Sequence, residues 1–328
     1  MEVAVTGLSV AGAGLSEPED LWRRMGTRGA DGTPAAPEPY DPTPELGRGM
    51  RYKDRATKLA LLAADRALRS AGGGEDRPGR AETTAVVASS NFGNLDTVCE
   101  AASVIARSSV SETSAMELPN ASSNVIGSSI AIRHGLRGPN VMLCNGAASG
   151  LDAVHLARTL LAAGRADRVL VVGTEAAGAA VARWHGLSTQ ELFDGAAALV
   201  LEDAAAAAAD GRPVRVLVDA FSRRLGARAS ASAALAGGAA KPSLWLTGGC
   251  PDPDETREGP DPAPAWGLPP WRDVEAVFGP AFGALGVLQA VAAAHRIAGH
   301  GDPAVLVTAG GGTAEAAASL LLTSAGPA

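Results

Sequence analysis

Five small residues, Gly146-Ala147-Ala148-Ser149-Gly150, separate a short apolar stretch from a long amphipathic one, with Cys144 just ahead of them. A turn of this kind, between a strand and a helix, is where many α/β enzymes place a nucleophile, because the helix N-terminus stabilises negative charge. Two side chains here could attack a carbonyl: the thiol of Cys144 and the hydroxyl of Ser149. Each needs a base or a depressed pKa. GAASG does not match the nucleophile elbow, and no histidine is spaced to activate Ser149. The five histidines are His134, His155, His185, His295 and His300. His155 and His295 fall in helical patterns and His134 in a basic run, so all five read as surface or helix-face imidazoles. Cys144 reads as a buried structural thiol, the usual habit of free cysteine. Asp252, Asp254 and Glu255 raise the idea of calcium, but the prolines between them and the missing loop glycine favour a solvated acidic loop. No phosphate loop, zinc spacing or dinucleotide fingerprint occurs, so neither cofactor nor metal is expected.

The elements that position this turn are legible around it. Residues 141–143 read as a strand, 151–163 as a helix, and 169–172 as an apolar strand covered on both faces. Upstream, 3–6 reads as a buried strand ended by Gly7, 17–25 as a short amphipathic helix, and 26–50 as a surface excursion. Residues 54–71 form a strong helix pattern with Leu59, Leu62, Ala63 and Ala67 on one face, stopped by glycines at 72–74. A strand at 85–88 and a helix at 96–107 follow. Residues 111–129 are small and polar, broken at Pro119-Asn120, with helix resuming near Ser123. Downstream come a strand at 194–202, a helix from 204, and a return strand at 214–218. The chain then loosens over 225–270, first through an Ala/Ser/Gly stretch at 225–241 and then a Pro/acid-rich one at 251–270. A helix at 282–298 and strands at 304–308 and 319–323 close it.

Residues 150–175 and 286–312 resemble each other: a glycine-led helix, a Gly/Asp linker, a short apolar strand, then glycine. This predicts two copies of one α/β unit, at 1–203 and 212–328, packed as a pseudo-dimer in one compact body. At 328 residues, 46% hydrophobic and 19% charged, the chain is globular rather than disordered. Aromatics are only 4%, so Ala, Val and Leu must pack the core. Net charge is −7 with no basic stripe, which argues against nucleic acid. No unbroken apolar run reaches about 18 residues, so no membrane span is expected. Residues 1–14 lack a basic leader region, and with three unevenly spaced cysteines this predicts reduced thiols and a cytoplasmic protein.

The segment SSIAIRHGLRGPN followed by GLDAVHLA, with PNASSNV before it and DGAAALVLE after it, resembles the β-ketoacyl synthase family. The start VAVTGLSV and the helix DRATKLALLAADRAL fit as well. The likeness covers most of 1–220 and, more thinly, 272–323, and is strongest to the chain-length factors of type II polyketide synthases. It implies a thiolase fold: two similar α/β halves in a five-layer αβαβα arrangement. It also implies where the condensing chemistry of active members would sit. Counted without gaps from Gly138-Pro139 and from Ser149-Gly150, the nucleophilic cysteine falls on Ala147. The first histidine motif falls near residues 246–249, which hold none. In the second, spanning 275–286, Pro280 stands for the histidine and Glu275 for the lysine. The Gly-Phe-Gly-Gly loop corresponds to AGGG at 309–312, without its phenylalanine.

Three losses at one chemical site imply a subunit that does not condense. By the resemblance, such a chain pairs with an active ketosynthase as a heterodimer, through the strand before Ala147, and meets acyl carrier protein through that complex. Segment 116–124 would reach the partner's acyl tunnel, making Met116, Leu118, Asn120 and Ser122 tunnel or interface residues. Aromatic-polyketide members carry aromatic side chains over 118–123, where this chain has LPNASS; that difference and the short second half point to a polyene or other reduced product. Two alternatives stand beside this reading: a decarboxylase or acyltransferase using Cys144 or Ser149, and a purely structural partner.

Overall fold

The computed structural model of the chain describes residues 1–26, 40–72, 80–212, 214–248, 268–311 and 316–326. In chain order the first half runs β1 (Val3–Gly12), α1 (Glu19–Gly26), α2 (Thr43–Leu46), α3 (Arg55–Ser70), α4 (Arg80–Thr83), β2 (Thr84–Ser89), α5 (Leu95–Arg107), α6 (Val125–His134), β3 (Asn140–Leu143), α7 (Ser149–Ala162), β4 (Arg168–Glu175), α8 (Ala179–His185) and β5 (Gly195–Asp203). The second runs α9 (Ala204–Ala209), β6 (Val216–Leu225), α10 (Ala227–Gly237), β7 (Leu244–Thr247), β8 (Trp271–Asp273), α11 (Glu275–Phe278), α12 (Leu285–His300), β9 (Ala304–Ala309) and β10 (Ala316–Ser324).

The strands lie in the order β3-β2-β4-β5-β1-β6-β10-β9-β7-β8. Read outward from the centre, β1-β5-β4-β2-β3 and β6-β10-β9-β7-β8 follow the same path. In each, the first two pairings are antiparallel and the last two parallel. Among the described residues the two runs join through a two-residue ladder, Val3 with Val218 and Ala4 with Leu217. Helices α7 and α12 pack on each other and on strands of both runs, so the largest core cluster lies between the two sheets. Helix α3 covers the outer face of the first sheet with α6, and α10 covers that of the second. The result is the expected five layers, with paired central helices.

Local chemistry explains the elements. Asp54 caps α3 by accepting from the backbone N of Thr57 at 2.8 Å, and Gly72, at φ +83°, turns the chain away after it. β2 and β4 are buried along their whole length, as central parallel strands must be. Helix α12, with the turn before it, is long and apolar enough to cross a membrane by length and composition, but 72% of it is buried within the protein; it is the middle of the sandwich.

Several expectations need correction. β1 does not stop at Gly7. The strand continues to Gly12 with an irregularity between Val5 and Gly7, and a Cβ on Gly7 would lie 2.4 Å from the Ala67 carbonyl oxygen. The glycine marks a close helix–strand approach, not an end. The first part of the expected loose segment, 225–241, is instead mostly helical: α10 buries Ser230, Ala231 and Ala234 against the second sheet, and β7 follows. Small side chains blur periodicity while letting a helix sit close. The return strand runs Val216–Leu225, well past residue 218. The acidic stretch holding Asp252, Asp254 and Glu255 lies outside the described residues, as do 27–39 of the surface excursion.

Candidate functional site

The turn entering α7 is built by β3, which delivers the chain to Cys144, and by Gly146, whose φ of +86° reverses it. Ala147 is half-buried and stands two residues before the first helical residue, Ser149. Ser149 is fully buried and serves as a staple. Its Oγ accepts from Asn145 N at 2.8 Å and faces the Gly146 carbonyl at 2.7 Å and Asn91 Oδ1 at 3.1 Å. A hydroxyl whose one proton is held inside the turn is a poor nucleophile. Cys144 is not the buried thiol expected from sequence: the residue is exposed, with Sγ 3.7 Å from the Asn91 carbonyl. Partial desolvation of the sulfur, with repulsion from Glu175, pushes its pKa up, the opposite of what a thiolate nucleophile requires. Cys99 is a free, half-buried thiol, and Cys250 lies outside the described residues.

The other segments singled out from the sequence gather around the N-terminal ends of α7 and α12. A Cβ on Gly310 would lie 3.7 Å from Ala147 Cβ and 3.5 Å from Ala148 N, so the loop after β9 faces the turn. Gly248, at the end of β7, would place a Cβ 2.8 Å from Leu285 and 3.3 Å from Glu275. Glu275 in turn accepts from Ala281 N at 2.7 Å, which fixes the loop carrying Pro280. The Pro280 carbonyl accepts from Phe193 N at 3.3 Å, and Phe282 just beyond it holds a positive φ of 43°, a conformation non-glycine residues rarely adopt. Leu246, Thr247 and Gly248 bring no imidazole; Gly249 and Gly312 lie outside the described residues.

The histidines are engaged elsewhere. His134 contacts Asp65 at 2.8 Å, His155 stacks on Phe221, and His295 meets Glu19 at 2.7 Å and faces His300. His185 packs against Phe92 and Phe282 at the edge of the Pro280 loop. Among the described residues no group of three or more His, Cys, Asp or Glu is placed to hold a metal ion.

Sequence reasoning missed Glu175, the last residue of β4. It is 1% exposed. Its carboxylate accepts from Asn91 N, from Ser90 Oγ and Phe92 N at 3.1 Å each, and from Gly283 N at 3.1 Å. It thus ties the loop after β2 to the loop after Pro280, immediately behind Cys144. The available signal was one carboxylate closing an otherwise apolar strand, RVLVVGTE. Burial raises its pKa from 4.5 to about 7 against the opposing hydrogen bonds. Between those two values the folded state keeps a proton that the unfolded chain has released, so stability falls as pH rises through this window and is greatest at its acid end. A gap of this size corresponds to about 3 kcal/mol. Urea unfolding of the wild type at pH 5 and pH 7.5 is expected to show that loss. Glu175→Gln, which has no such titration, is expected to flatten the slope while lowering stability at both values; an unchanged slope would refute the assignment.

The residues expected at the tunnel do not behave alike. Met116 is 61% and Leu118 44% exposed, and Ser122 is exposed with Oγ 2.6 Å from Asn124 Oδ1. Asn120 is buried, its amide donating to the Tyr52 carbonyl, so it anchors the 3₁₀ turn Leu118–Ala121 that presents the others.

Comparisons with known proteins agree with this architecture. The chain is 30% identical over 164 residues to "3-oxoacyl-[acyl-carrier-protein] synthase 2" of Rhizobium meliloti (strain 1021), a match covering 48% of the chain and 38% of that relative's length. Among solved structures it superposes on the ishigamide ketosynthase/chain length factor with a TM-score of 0.74 at 23% identity, covering 99% of this chain and 100% of the other. It also superposes on a β-ketoacyl synthase from Burkholderia phymatum STM815 (TM-score 0.78, 19% identity, 98% and 99% covered). A third match is AntDE:AntF, a type II polyketide synthase acyl carrier protein in complex with its ketosynthase bound to the hexaketide (TM-score 0.79, 13% identity, 98% and 99% covered). At these identities the structural matches establish the thiolase-like fold. Residues 46–211 match the family described as β-ketoacyl synthase, N-terminal domain, and the chain therefore belongs to the β-ketoacyl synthase family.

Proposed function

We propose that this chain is a non-condensing subunit of a type II polyketide synthase, a chain-length factor that pairs with an active ketosynthase and shapes its acyl tunnel. One observation carries the reading. The loops after β9 and around Pro280 close on the turn entering α7, and in this reading Ala147 and Pro280 stand where a ketosynthase needs a nucleophile and a histidine. A methyl group and a pyrrolidine ring can neither attack a thioester nor polarise a carboxylate. The ishigamide ketosynthase/chain length factor, whose fold this chain shares, supports the pairing. We take 1–203 and 212–328 as the two halves of the unit, in keeping with their matched strand paths.

A surface suited to a partner accompanies the missing chemistry. Among the described residues β3 pairs only with β2, which leaves its other edge without a strand there. Val98 and Ile105 on α5, Val110, Met116 and Leu118 are all exposed apolar residues on elements that pack together, the kind of patch that marks an interface. In this reading Met116, Leu118 and Ser122 face the partner's tunnel, Asn120 positions them, and acyl carrier protein is met through the complex. The absence of bulk in LPNASS leaves room for a reduced or polyene chain. Reconstitution with a ketosynthase bearing one cysteine and two histidines tests this. Leu118→Trp is expected to shorten the released product by one or more two-carbon units, read by mass spectrometry, with the complex intact. Unchanged product length would favour a purely structural partner.

A further inference from the structure

Residues 109–124, between α5 and α6, are mostly exposed and bond mainly among themselves. Thr113 Oγ1 donates to the Val110 carbonyl at 2.6 Å, and Ser109 and Ser111 share a hydrogen bond at 2.8 Å. The backbone N–H groups of Glu117, Leu118, Asn120 and Ser122 donate to carbonyls of Ser114, Glu117 and Pro119. Packing under the segment is thin, since α5 buries none of its residues and Met116 and Leu118 are exposed. Among the described residues, and apart from the bonds into α6 that continue it, two side-chain amides fasten the segment to the rest of the protein. Asn120 Nδ2 donates outward to the Tyr52 carbonyl, and Asn94 Nδ2 donates inward to the Ala121 carbonyl at 3.0 Å. Both acceptors are carbonyls, so only the NH2 end of each amide can make the bond.

Asn94 makes its bond at the expense of its own helix. It is the residue before α5, where asparagine ordinarily accepts from an N–H of the first turn. Here, at φ −107° and ψ 7°, its side chain makes no such bond. Asp54 and Asp203, in the same position at α3 and α9, cap in the ordinary way, accepting from Thr57 N and Ala206 N. Asn94 instead directs its amide to a carbonyl 27 residues away in sequence. The base it projects from is fixed. Glu175 accepts from Asn91 N and Phe92 N, Gly93 N donates to Ser90 Oγ at 2.9 Å, and a Cβ on Gly93 would lie 2.9 Å from Ala56 Cβ. Val98 N holds the Asn94 carbonyl at 3.1 Å. Asn94 therefore refers the Leu118–Ala121 turn to the carboxyl end of β2.

We propose that Asn94 is a positioning residue that fixes this turn, and with it the reach of Met116, Leu118 and Ser122, so that its amide decides how sharply product length is defined. The inference rests on the chain-length factor reading. A turn held at two points has one placement, whereas one held only through Asn120 can pivot. A tunnel wall that pivots stops the growing chain at more than one length.

Asn94→Asp keeps the shape and removes the NH2 group. The new carboxylate cannot donate to Ala121 and is drawn to the first turn of α5, where it is among the best caps. Tm of the full chain is therefore expected to hold or rise. The amides of Asn120 and Ser122 are expected to exchange with deuterium about tenfold faster, as a local opening of the turn would make them. Reconstituted with an active ketosynthase, the same variant is expected to release products of more than one length, separated by two-carbon units in the mass spectrum. Asn94→Ser, which caps without charge, is expected to behave alike. Unchanged exchange at 120 and 122 would overturn the inference, and so would a fall in Tm with a single product length, the mark of a merely structural residue. Leu118→Trp run alongside separates the two readings. If it shortens the product while Asn94→Asp still yields one length, the positioning role is wrong. If neither variant alters the product, the chain-length factor reading fails and this inference falls with it.

Discussion

Gly286→Ala is expected to destabilise the protein by about 3 kcal/mol or more, a larger cost than ordinary overpacking because the obstructing atoms are backbone. A Cβ on Gly286 would lie 2.4 Å from Leu151 N and 2.8 Å from Gly150 C. Reciprocally, a Cβ on Gly150 would lie 2.7 Å from Val287 N and 2.8 Å from Gly286 N. These two glycines are the crossing point of α7 and α12, the paired helices at the centre of the largest core. Neither helix can retreat without opening gaps against the sheets on both sides, and Gly173 on β4 already sits 2.8 Å, by the same measure, from Val287 Cβ. Gly299→Ala on the same helix is the control. Nothing lies within 4 Å of its Cβ position, and alanine improves helix propensity by up to about 1 kcal/mol. Urea denaturation of the two variants should therefore move in opposite directions. Equal stabilities would mean that the central helices are not held at this spacing.

The same pair of glycines shows how far the sequence could be read. Aligning 150–175 with 286–312 puts Gly150 opposite Gly286 as equivalent residues, and the structure brings those equivalents into contact with each other. Repetition was visible because each unit repeats a whole helix and strand, long enough for a pattern to survive divergence. What stayed hidden was carried by single residues whose meaning is set by distant partners. Gly7 looks like a terminator until α3 is seen pressing on it. Glu175 looks like the polar end of an apolar strand until four donors from two remote loops converge on its oxygens. The helix at 227–237 was lost for a different reason: Ala, Ser and Gly carry little hydrophobic contrast, so a helix packed by small residues leaves almost no period to count. At the candidate site, counting from flanking motifs assigns Ala147 and Pro280 their places, and those assignments remain part of the proposal. That Cys144 is exposed rather than buried, and that Ser149 is locked within its own turn, could not be found by counting.

Met142→Pro is expected to leave the fold intact and reduce ketosynthase binding at least a hundredfold. The carbonyls of Pro139, just before β3, and of Leu143 at its end accept from Val86 N of β2 and from Ser90 N just after it. Backbone direction alternates along a strand, so the polar groups of residues 139, 141 and 143 point inward to β2, and those of 140 and 142 point outward from the open edge. Proline at 142 removes an outward N–H without touching the ladder to β2, which is the one setting in which strands tolerate it. A partner that extends the sheet across this edge loses a backbone hydrogen bond and meets the ring in its place. Val141→Pro, one residue earlier, attacks the inward ladder instead and is expected to destabilise the chain itself. Thermal unfolding of each variant, with co-purification against a tagged ketosynthase, separates the two effects. If Met142→Pro folds normally and still co-elutes with the ketosynthase at wild-type stoichiometry, the open edge of β3 is not where the two subunits meet. The pairing would then have to rest on the exposed apolar residues of α5 and the 110–118 segment alone.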